Sequence, residues 1–275
     1  MSTYAGEKSG CNDVIEMPEL KKITSLVKQA AAEEILPRFR NTSSEEKADG
    51  SILTAADLGC QHWLSQALHQ YQPDIPLLGE EMTADQQNDL LSNSESGLWI
   101  LDPLDGTANF AAGFPLFSIS LGLVKSGRVV LGVVYDPVRD ECFYAEAGKG
   151  AWLNGAPLQL ANPKKAIKDC IAVVDFKRLK AELAVALVSN PPFRSQRSIG
   201  SVALDWCWLA AGRAQIYHHG GQSLWDYAAG RLIFSEAGGR CSMPEPPITL
   251  FKQPAVAAVS EELLLAWSEW LKNNS

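Results

Sequence analysis

Two aspartates stand three residues apart in residues 99–110, which read WILDPLDGTANF. The apolar run predicts a strand ending on Asp102, and Asp105-Gly106 predicts a turn after it. Carboxylates at this range repel each other strongly unless a cation lies between them. Carboxylate oxygens and the free Leu104 carbonyl would suit Mg²⁺. A simple turn with an Asx cap has the same pattern, so this motif alone leaves both interpretations open.

Three other acidic segments are equally open to two interpretations. Gly79-Glu80-Glu81 follows two apolar residues, and strand alternation would let one glutamate face a site; a solvated acidic turn is the alternative. Asp226 lies in the first turn of a predicted helix, where an acid usually acts as a cap, but the small residues after it permit close packing against a site. Asp57, three residues after Thr54, indicates a capping box or a partner for a water-orienting hydroxyl.

The elements that must position these residues alternate between helices and strands. Helical periodicity is predicted over 19–35, from Thr54 to about 71, and over 181–189, 201–211, 223–237 and 261–271. Strands are predicted over 98–101, 116–125, 128–135, 142–145, 171–174, 214–217 and 255–259, with a hairpin turn at Ser126-Gly127. This order predicts an α/β (α+β) fold with layered packing. We expect a flexible leader over 1–17, a mobile loop over 41–50 and one domain over 18–275, whose two lobes meet near 154–168.

Composition narrows the class of protein. The 275 residues are 46% hydrophobic and 20% charged, as in ordinary soluble domains. The 24 basic and 32 acidic residues give a formal charge of -8, which argues against nucleic-acid binding. No apolar run is long enough to span a membrane, and the N-terminus does not resemble a signal peptide. Six scattered cysteines without a C-x-x-C pair argue against zinc and redox sites and favour a cytoplasmic protein.

Taken together and in order, these motifs resemble the inositol monophosphatase family. The resemblance rests on GSILTAAD, GEE, WILDPLDGTANF, Gly200-Ser201 and WDYAAG, and it extends from about residue 47 to 239. It implies a layered αβαβα sandwich, a likeness to homodimeric relatives, and Mg²⁺-dependent, lithium-sensitive hydrolysis of a small phosphate monoester. An inositol monophosphate-like substrate is the first expectation.

The resemblance also implies roles for individual residues. Glu80, Asp102 and the Leu104 carbonyl would hold one Mg²⁺, and Asp102, Asp105 and Asp226 a second; Glu80 would reach a third, weaker ion through water. Asp57 and Thr107 would position the nucleophilic water, so Glu80, Asp57 and Thr107 are the catalytic candidates. The candidates for contacts with phosphate or substrate are Asp105, Gly106, Thr107, Gly200, Ser201 and His219.

One position departs from the family pattern. Inositol-specific relatives carry a glutamate seven residues before the WD motif, and His219 stands there. Imidazole could bond a hydroxyl or, if protonated, favour a second anion; it could equally be a loop residue without a role. Lys177 or Arg197 could receive a second phosphate or carboxylate, or belong to a solvated face.

Several alternative functions therefore remain open. Within the fold they are a 3′(2′),5′-bisphosphate nucleotidase, a histidinol-phosphate phosphatase and a fructose-1,6-bisphosphate phosphatase. A non-catalytic binding protein would be another class, although it should have lost its acidic ligands. A two-carboxylate glycosidase would need one acid pair about 5–10 Å apart, which fits four convergent acids poorly.

Overall fold

The computed structural model describes residues 18–41, 44–46, 52–93, 96–160, 166–242 and 248–275. The predicted leader over 1–17 and most of the predicted loop over 41–50 lie outside these residues. The eight helices of the described part are α1 (Pro18–Ala30), α2 (Ala55–Tyr71), α3 (Ala84–Ser92), α4 (Thr107–Ala112), α5 (Ala181–Ser189), α6 (Val202–Ala210), α7 (Leu224–Glu236) and α8 (Glu261–Asn273). Among the described residues, no helix is both long and apolar enough to cross a bilayer.

The strands of the described part form three sheets. A short antiparallel pair joins β1 (Ser44–Glu46) and β2 (Ile52–Thr54). The seven-stranded sheet has the sequential order β3 (Leu77–Gly79), β4 (Leu98–Asp105), β5 (Ser118–Lys125), β6 (Arg128–Asp136), β7 (Glu141–Glu146), β8 (Gly150–Leu153) and β9 (Ala156–Leu158). The five-stranded sheet has the order β11 (Ser195–Arg197), β10 (Ile171–Val174), β12 (Ile216–Gln222), β14 (Gln253–Ala258) and β13 (Arg240–Cys241).

Strand direction places the chain's acidic segments at common edges. β3 runs parallel to β4, whereas β4 to β9 pair antiparallel. In the second sheet β10 runs parallel to both β11 and β12. The residues that follow β3, and those that follow β10, therefore emerge beside their neighbour strand's carboxyl end.

The layers alternate as helix, sheet, helix, sheet, helix. α1 and α2 pack on one face of the seven-stranded sheet and share with it a core that includes Ile23, Leu64 and Trp99. α6 and α7 share a second core with both large sheets, and α5 and α8 add Leu187 and Trp267 to it. The predicted layered αβαβα sandwich is confirmed, while the division into two lobes stays a prediction.

Most predicted elements appear with shifted ends. The predicted helix over 19–35 is α-helical to Ala30 and then widens to a π-type turn, Ala31–Ile35, before Pro37. The Ser126-Gly127 turn is present, and both residues have positive φ. α3 was not predicted from the sequence, although Thr83 and Gln86 form a capping box at its start. Neither were α4 and the short strands β1, β2, β8, β9, β11 and β13, which are too brief for a periodic signal. β1 lies within the predicted mobile loop over 41–50, where it pairs with β2.

Candidate active site

A cavity of about 500 Å³ lies where the two large sheets and the starts of α4, α6 and α7 meet. Its lining contains the predicted site residues Glu80, Asp102, Leu104, Asp105, Gly106, Thr107, Gly200, Ser201, His219 and Asp226. The residues come from segments up to about 150 positions apart in the sequence, so the fold brings the separate motifs to one place. Asp57 is not among the lining residues but lies directly behind Thr107.

Glu80 and Asp102 are neighbours because β3 and β4 run in parallel register. Gly79 is opposite Leu101, and the Glu80 amide donates to the Leu101 carbonyl over 3.1 Å. Each acid therefore directly follows this paired position. The Asp102 side chain is buried, and its Oδ1 accepts the Leu104 amide at 3.0 Å.

Asp105 lies beyond a break in the β4–β5 register and is held from α6. The pairing is irregular between Asp102 and Asp105, so the Pro103-Leu104 step bulges out of the ladder. Asp105 Oδ2 accepts the Ser201 hydroxyl at 2.6 Å and the Ala203 amide at 2.7 Å. Ser201 also caps α6 through the Leu204 amide, so its hydroxyl links that helix to the Asp105 carboxylate; the predicted substrate contact of Ser201 stays a prediction.

Two glycines let the loop before α6 approach α4. Gly106 has φ +96°, and a Cβ there would lie 2.8 Å from the Leu116 carbonyl and 3.2 Å from that of Gly200. Gly200 has φ +79°. Asn109 completes the junction by donating to the carbonyl oxygens of Leu116 and Ile199, each at 2.8 Å. The glycines are needed because any side chain would separate the two segments.

Asp226 enters from the first turn of α7. Its Oδ2 accepts the Ser223 amide at 2.9 Å in a capping box. Small residues then bring the helix against the large sheet: a Cβ on Gly132 would lie 2.8 Å from the Ala229 carbonyl. The predicted cap and the predicted close packing are thus both present, and together they fix the depth of Asp226 in the cavity.

Burial raises the pKa of three of the grouped carboxylates, and neighbouring acids add to the effect for two of them. Burial raises the pKa of Asp102 well above its usual range, and the charges of Glu80, Asp105 and Asp226 add to this effect. Burial, with the charges of Asp105 and Glu80, likewise raises the pKa of Asp226. Burial raises the pKa of Asp105 to about 6 despite its hydrogen bonds. The charge of Arg178 lowers the pKa of Asp105 and Asp226, but it does not offset the effect of burial.

The donor set fits a hard divalent cation. Carboxylates grouped in one cavity are stabilised when positive charge is placed between them, and their oxygens are the ligands that such a cation prefers. As placed, no three acidic, histidine or cysteine side chains of the described residues form a ready-made metal cage. Coordination would therefore need side-chain adjustment, for which Asp102 and Asp226 each have one oxygen outside the hydrogen bonds described above.

Thr107 and Asp57 form the predicted pair. The Thr107 hydroxyl lies 3.2 Å from Asp57 Oδ1 and 2.9 Å from the Leu104 carbonyl oxygen, and its single proton can go to either acceptor. The Thr54 amide donates to the other Asp57 oxygen, Oδ2, at 2.8 Å in a capping box. Burial raises the pKa of Asp57 to about 6, with a contribution from Glu81. Both roles considered for Asp57, cap and hydroxyl partner, occur together.

His219 is buried in the opposite wall, where both ring nitrogens already have protein partners. Nδ1 accepts the Gly221 amide at 3.1 Å, and Nε2 lies 3.1 Å from Asp175 Oδ2. Burial is the main cause that lowers the His219 pKa to about 4, so the imidazole is neutral near pH 7. This geometry disfavours the charged imidazole considered for a second anion, and the predicted direct substrate contact stays a prediction.

The chain is similar in sequence to known proteins over most of its length. A profile of the Inositol monophosphatase family matches residues 16–270. Inositol monophosphatase 1 of Solanum lycopersicum is 35% identical over 234 residues, which are 82% of this chain and 84% of that protein. Nus factor SuhB of Pasteurella multocida is 36% identical over 70% of this chain and 72% of its own.

The chain belongs to the inositol monophosphatase family. It is a phosphatase that hydrolyses phosphomonoesters. The crystal structure of the suppressor protein suhB from Bartonella henselae has a TM-score of 0.82 at 26% identity, over 94% of this chain and all of that one. The fold and the family resemblance are both confirmed.

In this family member, the cavity also contains residues that the motifs did not indicate. Asp175 and Lys252 line the wall beside His219. Asp205 lines it too, is buried, and has an Oδ1 without a hydrogen-bond partner among the described residues. Asp175 directly follows the buried strand β10, and a polar residue at such a strand end was the available signal. Arg197 bonds Ser195 and a backbone carbonyl and does not line this cavity.

Proposed function

We propose that this phosphatase uses Mg²⁺ to hydrolyse a small-molecule phosphate monoester, with an inositol monophosphate-like compound as the first candidate substrate. The observation that carries the proposal is the meeting of Glu80, Asp102, Asp105 and Asp226 in one cavity, where burial and neighbouring acids raise the pKa of Asp102 and Asp226. Phosphoryl transfer depends on charge neutralisation and positioning more than on covalent chemistry. A cluster of acidic side chains beside a cavity is suited to that task once cations are bound.

The metal sites are assigned to the acids and to one carbonyl. Glu80, Asp102 and the Leu104 carbonyl would hold one ion, and Asp102, Asp105 and Asp226 a second, with a third, weaker ion near Glu80. When bound, Mg²⁺ supplies charge neutralisation at the phosphate and lowers the pKa of water. The Thr107 hydroxyl now bonds Leu104 or Asp57; if the proton goes to Asp57, the Leu104 carbonyl becomes available to a cation.

The chain itself would orient the water and the phosphate. Asp57 is buried and fixed by the cap of α2. It can therefore accept the hydrogen bond of the Thr107 hydroxyl, which leaves the lone pairs of that hydroxyl directed toward a nucleophilic water. Glu80 is the third catalytic candidate, beside the same site. The Gly106 and Thr107 amides, at the turn before α4, would bind phosphate oxygens. Ser201 would act through Asp105, and Gly200 through the close approach of its loop.

Substrates of other enzymes with this fold are further candidates, as is a function of another class. A 3′(2′),5′-bisphosphate, histidinol phosphate and fructose 1,6-bisphosphate each place different groups against the His219 wall. A relative carries the name Nus factor, which supports partner binding in addition to catalysis as a second candidate function. The retained acids weigh against partner binding alone. Lithium sensitivity, a homodimer and a cytoplasmic location are further proposals, carried by the family resemblance and, for the location, by cysteine usage.

The deciding experiment measures phosphate release from a panel with Mg²⁺ and with excess chelator. The panel contains inositol 1-phosphate, adenosine 3′,5′-bisphosphate, fructose 1,6-bisphosphate and histidinol phosphate. We expect release that requires Mg²⁺ and favours one compound. A parallel LiCl titration should show loss of activity.

Full activity in chelator would contradict the metal assignment and revive catalysis by carboxylates alone. Measurable Mg²⁺ binding without release from any compound would favour a binding role or a substrate outside the panel. Heat-denatured protein provides the background rate for each compound.

A further inference from the structure

One wall of the cavity is formed by a short turn that follows β10. Asp175 caps the 3-10 turn Phe176–Arg178, with Oδ1 accepting the Lys177 amide at 3.1 Å. The turn packs on β12, which supplies His219. It faces the cavity that also holds the four carboxylates.

Three side chains of this wall interlock. Asp175 Oδ2 lies 2.6 Å from Arg178 Nη1 and 3.1 Å from His219 Nε2. Because the Gly221 amide donates to Nδ1, that nitrogen carries no proton, and the neutral ring presents its N–H at Nε2. His219 therefore donates to Asp175, and the carboxylate keeps its negative charge for Arg178. The Lys177 amide and His219 hold the Asp175 carboxylate in place, and the carboxylate in turn orients the Arg178 guanidinium.

The backbone reinforces this placement. The Asp175 amide donates to the His218 carbonyl over 3.2 Å. A Cβ on Gly220 would lie 1.9 Å from the Arg178 carbonyl oxygen. The turn thus rests directly on β12 at a position where only glycine leaves room.

Charge in the cavity is divided between its two walls. The charge of Arg178 lowers the pKa of both Asp105 and Asp226, which shows that its field reaches the carboxylate cluster. Lys177 and Lys252 line the same wall as Arg178, and no ion pair joins either lysine to another described residue. Arg178 uses one guanidinium N–H on Asp175, and a guanidinium has five. With His219 neutral, this wall carries three positive charges against the single negative charge of Asp175.

We propose that Arg178 binds a second anionic group, phosphate or carboxylate, on the leaving part of the substrate, and that Asp175 and His219 are positioning residues for it. The proposal rests on the proposed function, because it assigns the part of the substrate that lies beyond the transferred phosphoryl group. A planar guanidinium donates in pairs to either kind of anion. An arginine held in this position favours an anionic group over a polyol, since hydroxyl groups gain little from a full positive charge.

The test compares matched substrates on full-length enzyme with Mg²⁺. Fructose 1,6-bisphosphate against fructose 1-phosphate measures the gain from a second phosphate, and 3-phosphoglycerate against glycerol 3-phosphate measures that from a carboxylate. Wild type should favour the member with the second anion in at least one pair. Arg178→Gln should lower kcat/KM for that member roughly ten- to hundredfold, mainly through KM, and change its partner by less than about threefold.

Two further variants separate positioning from general damage. Asp175→Asn should reproduce part of the KM increase with the same preference, since the arginine loses its orienting charge. Arg197→Gln is the matched control, because Arg197 lies outside the cavity, and it should leave both pairs unchanged. Thermal midpoints should stay close to wild type for any variant that enters the comparison.

Equal losses for both members of each pair would overturn the proposal and assign Arg178 to the transferred phosphate. No preference in wild type for any second anion would also overturn it. If wild type releases no phosphate from any compound, the proposed function fails, and calorimetric titration of the same pairs then decides the inference. The inference would hold if wild type binds the doubly anionic member of a pair more tightly and Arg178→Gln abolishes that preference. Equal binding by wild type and variant would overturn it.

Discussion

At the scale of single residues, the acids of the cavity cost free energy unless a cation joins them. Asp102 and Asp105 are buried and Asp226 is half-buried, and the charges of Asp105 and Asp226 raise the pKa of Asp102. A protein that buries several like charges without a partner charge loses stability. A bound cation would stabilise such a group, which is the physical basis of the proposed metal sites.

The first prediction concerns Asp105, which joins the second proposed metal site to α6. Asp105→Asn keeps the side chain's shape but removes its charge, while an amide oxygen can still accept from Ser201 and Ala203. We expect kcat/KM to fall by at least about 100-fold, since even outer-shell changes at metal sites cost up to about that factor. Steady-state kinetics and Mg²⁺ calorimetry should both show the loss; near-normal turnover would remove Asp105 from the metal site.

The second prediction concerns the hydroxyl of Thr107. Thr107→Val is isosteric but removes the group placed 3.2 Å from Asp57. If this pair orients the water, kcat should fall roughly 10²-fold or more, as for other proton-handling groups, with KM changed little. Thr107→Ser, which keeps the hydroxyl, is the matched control and should retain most activity. Equal activity of the valine and serine variants would contradict the role.

At the scale of elements, the depth of α7 determines where Asp226 lies. The helix presents Ala228 and Ala229 to glycines on two strands, so its backbone approaches the sheet closely. On β6 the approach is backbone to backbone, because a Cβ on Gly132 would lie 2.9 Å from the Ala229 Cα. On β5 it is looser, because a Cβ on Gly122 would lie 3.6 Å from that of Ala228.

The third prediction uses this difference between the two glycines. Gly132→Ala should overpack the contact, destabilise the protein by about 1–3 kcal/mol and weaken Mg²⁺ binding by displacing α7. Gly122→Ala places the same methyl against the same helix at an ordinary distance, so it should change both quantities little. Urea unfolding and calorimetry measure the two effects. Unchanged Mg²⁺ affinity in a destabilised Gly132→Ala would show that Asp226 keeps its position when the packing changes.

At the scale of the whole molecule, pH and metal act on the same carboxylates. The pKa of Asp57 and of Asp105 is raised from 3.8 to about 6 in the folded protein. Between about pH 4 and pH 6 the folded state therefore binds more protons than the unfolded state, so these groups make stability fall as pH rises. His219 acts in the opposite direction, since its pKa is lowered from 6.5 to about 4.

The fourth prediction separates the contribution of the acids to the pH dependence of stability from that of His219, by measuring stability with and without Mg²⁺. In chelator, Asp105→Asn should lose less stability than wild type when pH rises through about 4 to 6. Mg²⁺ should stabilise wild type more at about pH 7.5 than at about pH 5, because the ionised acids bind it and binding to the folded state adds stability. Urea midpoints at both pH values measure this. Equal stabilisation at the two pH values would mean that Mg²⁺ does not bind at these acids.

The order of the motifs was readable from the sequence because each is local. Thr54 and Asp57 indicate a capping box whatever the rest of the chain contains, and WILDPLDG encodes a strand and a turn within eight residues. Together these segments sufficed for the family, the layered fold and the list of acids that the cavity now contains. Helix ends, and short strands such as β13, were not predictable, since they depend on pairing partners distant in the chain.

The sequence by itself therefore determined which side chains could bind a cation, because their types and local turns are properties of short segments. Only the tertiary structure decided what surrounds them. Asp175 and His219 are 44 positions apart and meet because β10 and β12 pair in parallel register. Ser201 is 96 positions from Asp105, and its hydroxyl donates to that carboxylate because the start of α6 lies against the end of β4. Contacts between distant segments depend on strand order and helix packing, which no local pattern encodes.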